Sequence, residues 1–110
     1  MIARIATFPK LTPEIDAEVR RNVLERFMPA LQAQEGFVAA YWVANEDGTW
    51  VSFTVWESKE AHEHGGQRAN ATPLLPGQDP TKILPPLRSR CTRLLHTRER
   101  AVFRPQRSDA

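Results

Sequence analysis

Cysteine is almost missing from this chain. Cys91 stands alone, so no disulfide can form within it, and a reducing cytoplasm is the expected setting. Long apolar runs are missing as well: no stretch reaches the roughly 20 residues of a bilayer-spanning helix. Arg4 interrupts the apolar start MIARIATF, so no secretory signal is expected. There is no glycine-rich phosphate loop, no Ser-His-Asp order and no carboxylate pair at a telling spacing. Charge is uneven. Residues 1–81 hold 7 basic and 11 acidic side chains, whereas residues 82–110 hold 8 and 2. The basic end has no interleaved aromatic except Phe103, which suits a solvated strand and tail better than a nucleic-acid surface. No membrane or nucleic-acid partner is expected.

What is present is a hairpin signal. Phe37 to Ser58 alternates with period two on both sides of Asp47-Gly48. With Asp47 and Gly48 as a two-residue turn, Tyr41 lies opposite Thr54 and Ala39 opposite Trp56. One face then carries Ala39, Tyr41, Val43, Trp50, Ser52, Thr54 and Trp56. The other carries Ala40, Trp42, Ala44, Val51, Phe53 and Val55 and is almost wholly apolar. A three-residue loop would destroy this parity.

The remaining elements follow from local punctuation. Ile2 to Phe8 reads as a first strand ended by Pro9. Thr12-Pro13-Glu14 starts a helix whose apolar stripe is Ile15, Val19, Val23 and Phe27, flanked by Leu24, Met28 and Leu31. Pro29 should kink or restart it, and Gly36 should end it. Ser58 caps a second helix from Lys59 to about Gln67, weakened by Gly65-Gly66. Residues 71–87 hold five of the nine prolines and read as an arm or lid, with one helical turn near Thr81 to Leu84. Ser89 to Thr97 reads as the last strand, and 98–110 as a loose basic tail.

The order β-α-β-β-α-β describes an α+β, ferredoxin-like fold. It has a four-stranded antiparallel sheet with both helices on one side, in a single domain spanning 1–97. The uncovered apolar face would be too large for a lone chain, so a homodimer stacked sheet to sheet is expected.

Gly36-Phe37 after a helix, Tyr41-Trp42, Asp47-Gly48 and Val55-Trp56-Glu57-Ser58 opening a second helix together resemble the antibiotic biosynthesis monooxygenase family. That family belongs to the dimeric α/β-barrel superfamily, and the resemblance covers about residues 1–68. It implies a homodimer whose two sheets form a barrel, with a ligand cleft between sheet and helices in each subunit. Trp42 and Phe53 would line the barrel, and Tyr41, Thr54 and Trp56 would face the cleft. The superfamily includes cofactor-independent monooxygenases acting on polycyclic phenols, haem-degrading enzymes, cyclases, isomerases and proteins without assigned activity. The haem-degrading branch uses an Asn on the first strand, a Trp ending the third and a His on or after the second helix. Trp56 matches that Trp, but Ile2 to Phe8 contains no Asn, which disfavours haem degradation.

Candidate residues follow. Trp56 can stack on a flat ligand or serve as a core residue against the first helix. Tyr41 can bind or deprotonate a phenol, or be an ordinary buried tyrosine. Ser52, Thr54, Trp50 and Phe27 join Trp56 as substrate-binding candidates. His62 and His64, two apart and on different sides of a helix, fit no zinc spacing, but either can act as a base near neutral pH. Tyr41, His62 and His64 are thus the catalytic candidates, with no metal and no cofactor expected. The leading expectation is a cofactor-independent monooxygenase acting on a small hydrophobic, aromatic or polyketide-type ligand. The alternatives are a cyclase or isomerase using the same cleft, or a non-catalytic ligand-binding accessory dimer.

Overall fold

Local capping chemistry sets the helix starts. The computed structural model of the protein describes residues 1–83 and 85–94. The Thr12 hydroxyl accepts from the Ile15 N–H at 3.3 Å, with Pro13 at the first position of α1 (Pro13–Asn22). The Ser58 hydroxyl likewise accepts from the Ala61 N–H at 3.1 Å and opens α3 (Lys59–Asn70). This helix runs three residues past the expected Gln67, through both glycines.

Between α1 and α2 (Met28–Gln32) the backbone makes a π-turn, Val23–Phe27. Pro29 has no N–H to give and its ring crowds the preceding turn, and the wider turn just ahead of it relieves that conflict while the helix continues. The extra residue rotates the side chains that follow. Leu24, expected on the apolar stripe, is left 71% exposed, and Arg26 is buried.

Strands β1 (Ile2–Phe8), β2 (Phe37–Ala44), β3 (Trp50–Trp56) and β4 (Arg88–Arg93) form one antiparallel sheet in the order β2-β3-β1-β4. This is the expected ferredoxin-like α+β arrangement. The segment from Leu95 to Thr97, including His96, and the tail 98–110 lie outside the described residues, as does Leu84. The turn expected near Thr81 to Leu84 is a 3₁₀ turn at Pro80–Lys82.

The hairpin register differs from the expectation by one residue. Asn45 pairs with Thr49 (N–H to O, 2.8 Å), and the Gly48 N–H returns to the Asn45 carbonyl at 3.0 Å. The loop is therefore Glu46-Asp47-Gly48, three residues long, with Gly48 at φ 91°. The Asp47 carboxylate explains the longer loop. It accepts from the Thr49 N–H at 2.9 Å and the Thr49 hydroxyl at 2.6 Å, an Asx turn that holds Thr49 at the end of the loop. Those bonds, the hydroxyl's first, keep the Asp47 carboxyl below its ordinary pKa.

The consequence is an exchange of faces on β2. Trp42 now opposes Ser52, and Tyr41 opposes Phe53. Trp42 and Ala40 pack on the helix side around the core of Leu31, Trp56 and Ala69, while Tyr41 and Val43 are 59% and 52% exposed on the open face. The assignment of β3 stands, with Trp50, Ser52, Thr54 and Trp56 all buried toward the helices. A bulge between Phe37 and Ala39 restores Phe37 to the inner side, where its ring meets Trp56 edge-on at 5.4 Å.

The proline-rich segment is folded back on α1 by buried polar groups. Arg26 donates to the carbonyls of Asn70 (2.9 Å), Thr72 (2.6 Å) and Pro73 (3.2 Å), and to Asn22 Oδ1 (3.2 Å). Gln78 donates to the same Asn22 oxygen at 2.9 Å, and its own Oε1 accepts from the Leu75 N–H. Carbonyls of an irregular segment need donors when buried, and Arg26 supplies several at once.

Candidate functional site

A cavity of about 920 Å³ lies between the sheet and the helices. The sheet contributes its inner face: Arg4 and Phe8 of β1, Trp42 of β2, and Trp50, Ser52, Thr54 and Trp56 of β3. The first helix contributes Val19, Val23, Phe27 and Leu31, and α3 contributes His62, Glu63, Gly66, Gln67 and Asn70. Ile83, Pro85 and Pro86 of the proline-rich segment close one side. Three tryptophans and two phenylalanines around one space make a slot for a flat apolar ligand, with few polar groups to orient it.

Trp56 is held from several directions. It is 1% exposed, its indole N–H donates to the Thr54 hydroxyl at 3.2 Å, and His62 meets its ring edge-on at 6.0 Å. Gly65 passes directly over the indole; a Cβ there would overlap ring atoms Cζ3 and Cη2. Trp56 thus belongs to the core against the first helix and to the cavity wall at once. Thr54 serves as acceptor for the indole, and Ser52 is buried beside it. Phe27 stands edge-on to Trp42 at 6.0 Å, and the Arg20 guanidinium caps Trp50 at 5.2 Å from the ring centre.

The catalytic candidates part company. His62 lines the cavity; His64 is exposed and does not. Tyr41 is on the far side of the sheet, because of the three-residue loop, and cannot touch a ligand in this cleft. Burial pushes the His62 pKa below its ordinary value, the positive charge of Arg4 lowers it further, and Glu63 partly opposes this. The imidazole is therefore neutral at pH 7. Its Nδ1 lies 3.9 Å from the Cys91 sulfur, which leaves Nε2 as the second nitrogen. Among the described residues, no group of three His, Cys, Asp or Glu side chains gathers as a metal site would, and no helix is long and apolar enough to cross a membrane.

Sequence reasoning missed Trp42, Arg4 and Asn22 as cavity residues. Trp42 was lost through the turn length. Arg4 shares strand parity with Ile2, Ala6 and Phe8, so once one face of β1 is placed against the helices its side chain must follow.

The family model for antibiotic biosynthesis monooxygenases matches residues 1–68, and the chain belongs to that family. No protein of curated function matches it. Among solved structures, it is similar to a monooxygenase from the gene ActVA-Orf6 of Streptomyces coelicolor in complex with the ligand nanaomycin D. Identity is 18%, coverage 90% of this chain and 91% of that one, and the TM-score 0.61. It is also similar to SnoaB, a cofactor-independent oxygenase from Streptomyces nogalater (16% identity, 87% and 94% covered, TM-score 0.59). A third likeness is to NE2512 of Nitrosomonas europaea, a protein of unknown function (14% identity, 90% and 93% covered, TM-score 0.58). At these identities the likeness is one of fold.

Proposed function

We propose that this protein is a cofactor-independent monooxygenase of small aromatic, polyketide-type phenols, with His62 as its base. The supporting observation is the aromatic slot itself: an open space of about 920 Å³ walled by Trp42, Trp50, Trp56 and Phe27, with one neutral imidazole on its wall. A tightly filled cleft would have favoured an accessory role; this one has room for a polycyclic guest.

In this reading a planar phenol lies in the cavity against the half-buried rings of Trp42 and Phe27, and His62 takes its proton. The resulting phenolate, in its carbanion form, reduces O₂ directly. Oxygen adds to the ring carbon, and loss of water leaves the quinone, so one O₂ is consumed per quinone formed. The protein's share is proton removal, orientation and exclusion of bulk water. Ser52 and Thr54 line the polar strip beneath the ring. Ile83, Pro85 and Pro86 act as the lid. The open face, with Tyr41, Val43, Val51 and Phe53, serves as the homodimer surface.

The test is O₂ uptake and product formation with a panel of anthrone-type phenols, under air and under nitrogen. Quinone formed only under air, and lost in His62→Gln, supports the proposal. Turnover that proceeds equally well under nitrogen identifies a cyclase or isomerase instead, and no turnover of any phenol refutes the enzymatic reading.

A further inference from the structure

Asn22 carries a polar group that the rest of the protein leaves unmatched. It is the last residue of α1, is 9% exposed and lines the cavity. Its Oδ1 accepts from Arg26 Nη1 at 3.2 Å and from Gln78 Nε2 at 2.9 Å. Neither donor can be reversed. A guanidinium has no acceptor. Gln78 has committed its own Oε1 to the Leu75 N–H at 2.8 Å, so the end it turns to Asn22 is the amino group. The orientation of the Asn22 amide is therefore fixed by chemistry: its oxygen faces the partners, and its NH₂ is turned away from them. Among the described residues those two bonds are the only ones its side chain makes. The amides of Gln34 and Asn70, by contrast, each donate to the carbonyl four residues back. Two N–H donors buried to nine-tenths and without an acceptor are costly in a closed core. On the wall of a cavity of about 920 Å³ they are open to a guest.

We infer that Asn22 sets the hydrogen-bond polarity of the α1 wall: its Nδ2 donates to a carbonyl oxygen of the ligand, so the cleft holds a flat ketone with its oxygen toward α1 and discriminates against the corresponding alcohol. This deepens the reading above and rests on it for the ligand being flat and apolar, not for any oxidation. A carbonyl oxygen can only accept, which suits a wall that can only donate. An alcohol oxygen can accept the same bond, but its own hydrogen then needs an acceptor. Both lone pairs of Asn22 Oδ1 are already taken, by Arg26 and Gln78. A donor left unmatched in a partly closed site loses affinity. The proline-rich segment thus enters ligand choice through Gln78, which fixes the end of the Asn22 amide that the ligand meets.

The experiment uses the full chain and two probes that differ only at one carbon, 9-fluorenone and 9-fluorenol. Neither is a phenol, so binding is read without turnover, by equilibrium dialysis. The wild-type protein is expected to hold the ketone about 3- to 10-fold more tightly than the alcohol, the range of one neutral hydrogen bond. Asn22→Asp keeps the oxygen that Arg26 and Gln78 bond and replaces only the NH₂, by a second carboxylate oxygen. The donor becomes an acceptor, so the order should reverse and the alcohol should bind the better. Asn22→Ala removes the donor and adds no acceptor, and should bring the ratio near unity. Urea unfolding checks that each variant is folded; general loosening of the fold weakens both probes together and does not reverse their order. Equal affinity of the two probes for the wild-type protein overturns the inference, as does binding of neither or an order unchanged in Asn22→Asp. Where Asn22→Asp does not fold, a ketone preference kept in Asn22→Ala overturns it equally. Equal affinity leaves the oxygenase reading standing. A preference that reverses as expected, with no O₂ uptake from any phenol, sinks the oxygenase reading and keeps the role of Asn22.

Discussion

Two adjacent glycines in α3 offer a test in which helix propensity and packing can be separated. By propensity alone, alanine at either Gly65 or Gly66 should stabilise a helix interior by up to about 1 kcal/mol. The structure opposes that at Gly65 and allows it at Gly66. A Cβ on Gly65 would occupy the space of Trp56 Cζ3 and Cη2 and lie 3.2 Å from Gln34 Cβ, whereas one on Gly66 has no neighbour within 4 Å. The indole cannot easily give way: it is 1% exposed, hydrogen-bonded to Thr54 and wedged against Phe37 and Leu31. Overpacking of this kind costs about 1–3 kcal/mol. Set against the propensity gain, Gly65→Ala should lose up to about 2 kcal/mol, whereas Gly66→Ala should gain about 0.5–1 kcal/mol. In a domain of this size, 1 kcal/mol corresponds to a Tm change of about 4–8 °C. Urea unfolding followed by far-ultraviolet circular dichroism, with thermal melts, reads both signs in one series. A Gly65→Ala protein stabilised as much as Gly66→Ala would refute the claim that α3 is docked on the Trp56 ring. The same substitution should also shift tryptophan emission, which Gly66→Ala should leave in place.

Three further outcomes follow from the same geometry. His62, held neutral by burial and by Arg4, should give a kcat/KM profile that is flat at neutral pH and falls only as pH drops through a value below 6.5. Arg4→Gln removes one cause of the depression, so its acid limb should move to higher pH; an unmoved limb would show that Arg4 does not act on His62. Arg26→Ala strips donors from the carbonyls of Asn70, Thr72 and Pro73, and should cost about 3 kcal/mol in urea unfolding. Limited proteolysis should then cut within residues 72–83 in the variant well before wild type. Tyr41→Phe should leave turnover within about twofold of wild type, since the hydroxyl lies outside the cleft, while Tyr41→Glu should shift sedimentation toward a single protomer if the open face joins two copies. A tenfold loss of turnover in the Phe variant would restore tyrosine to the site.

The parts of this protein that are legible in the sequence are those governed by neighbours along the chain. Thr12-Pro13 and Ser58 announce helix starts because their hydroxyls bond N–H groups three residues away. Period-two alternation marks β2 and β3 because a strand's side chains must alternate. Those signals suffice for the element order and hence the fold. The candidate site depended on quantities of one residue. An Asx turn at Asp47 lengthened the hairpin loop from two to three, and that alone moved Trp42 into the cleft and Tyr41 out of it. A π-turn ahead of Pro29 turned Arg26 inward and Leu24 outward. Arg4 reads in the sequence only as a charge interrupting an apolar strand; it becomes a cleft cation when β3, β4 and α3 assemble around it. Chain-local hydrogen bonding is written in single residues and their close neighbours, so composition and spacing disclose it. Which side of a sheet a residue faces, and what it meets there, depends on register and on segments far apart in the chain, and only the packed molecule decides that.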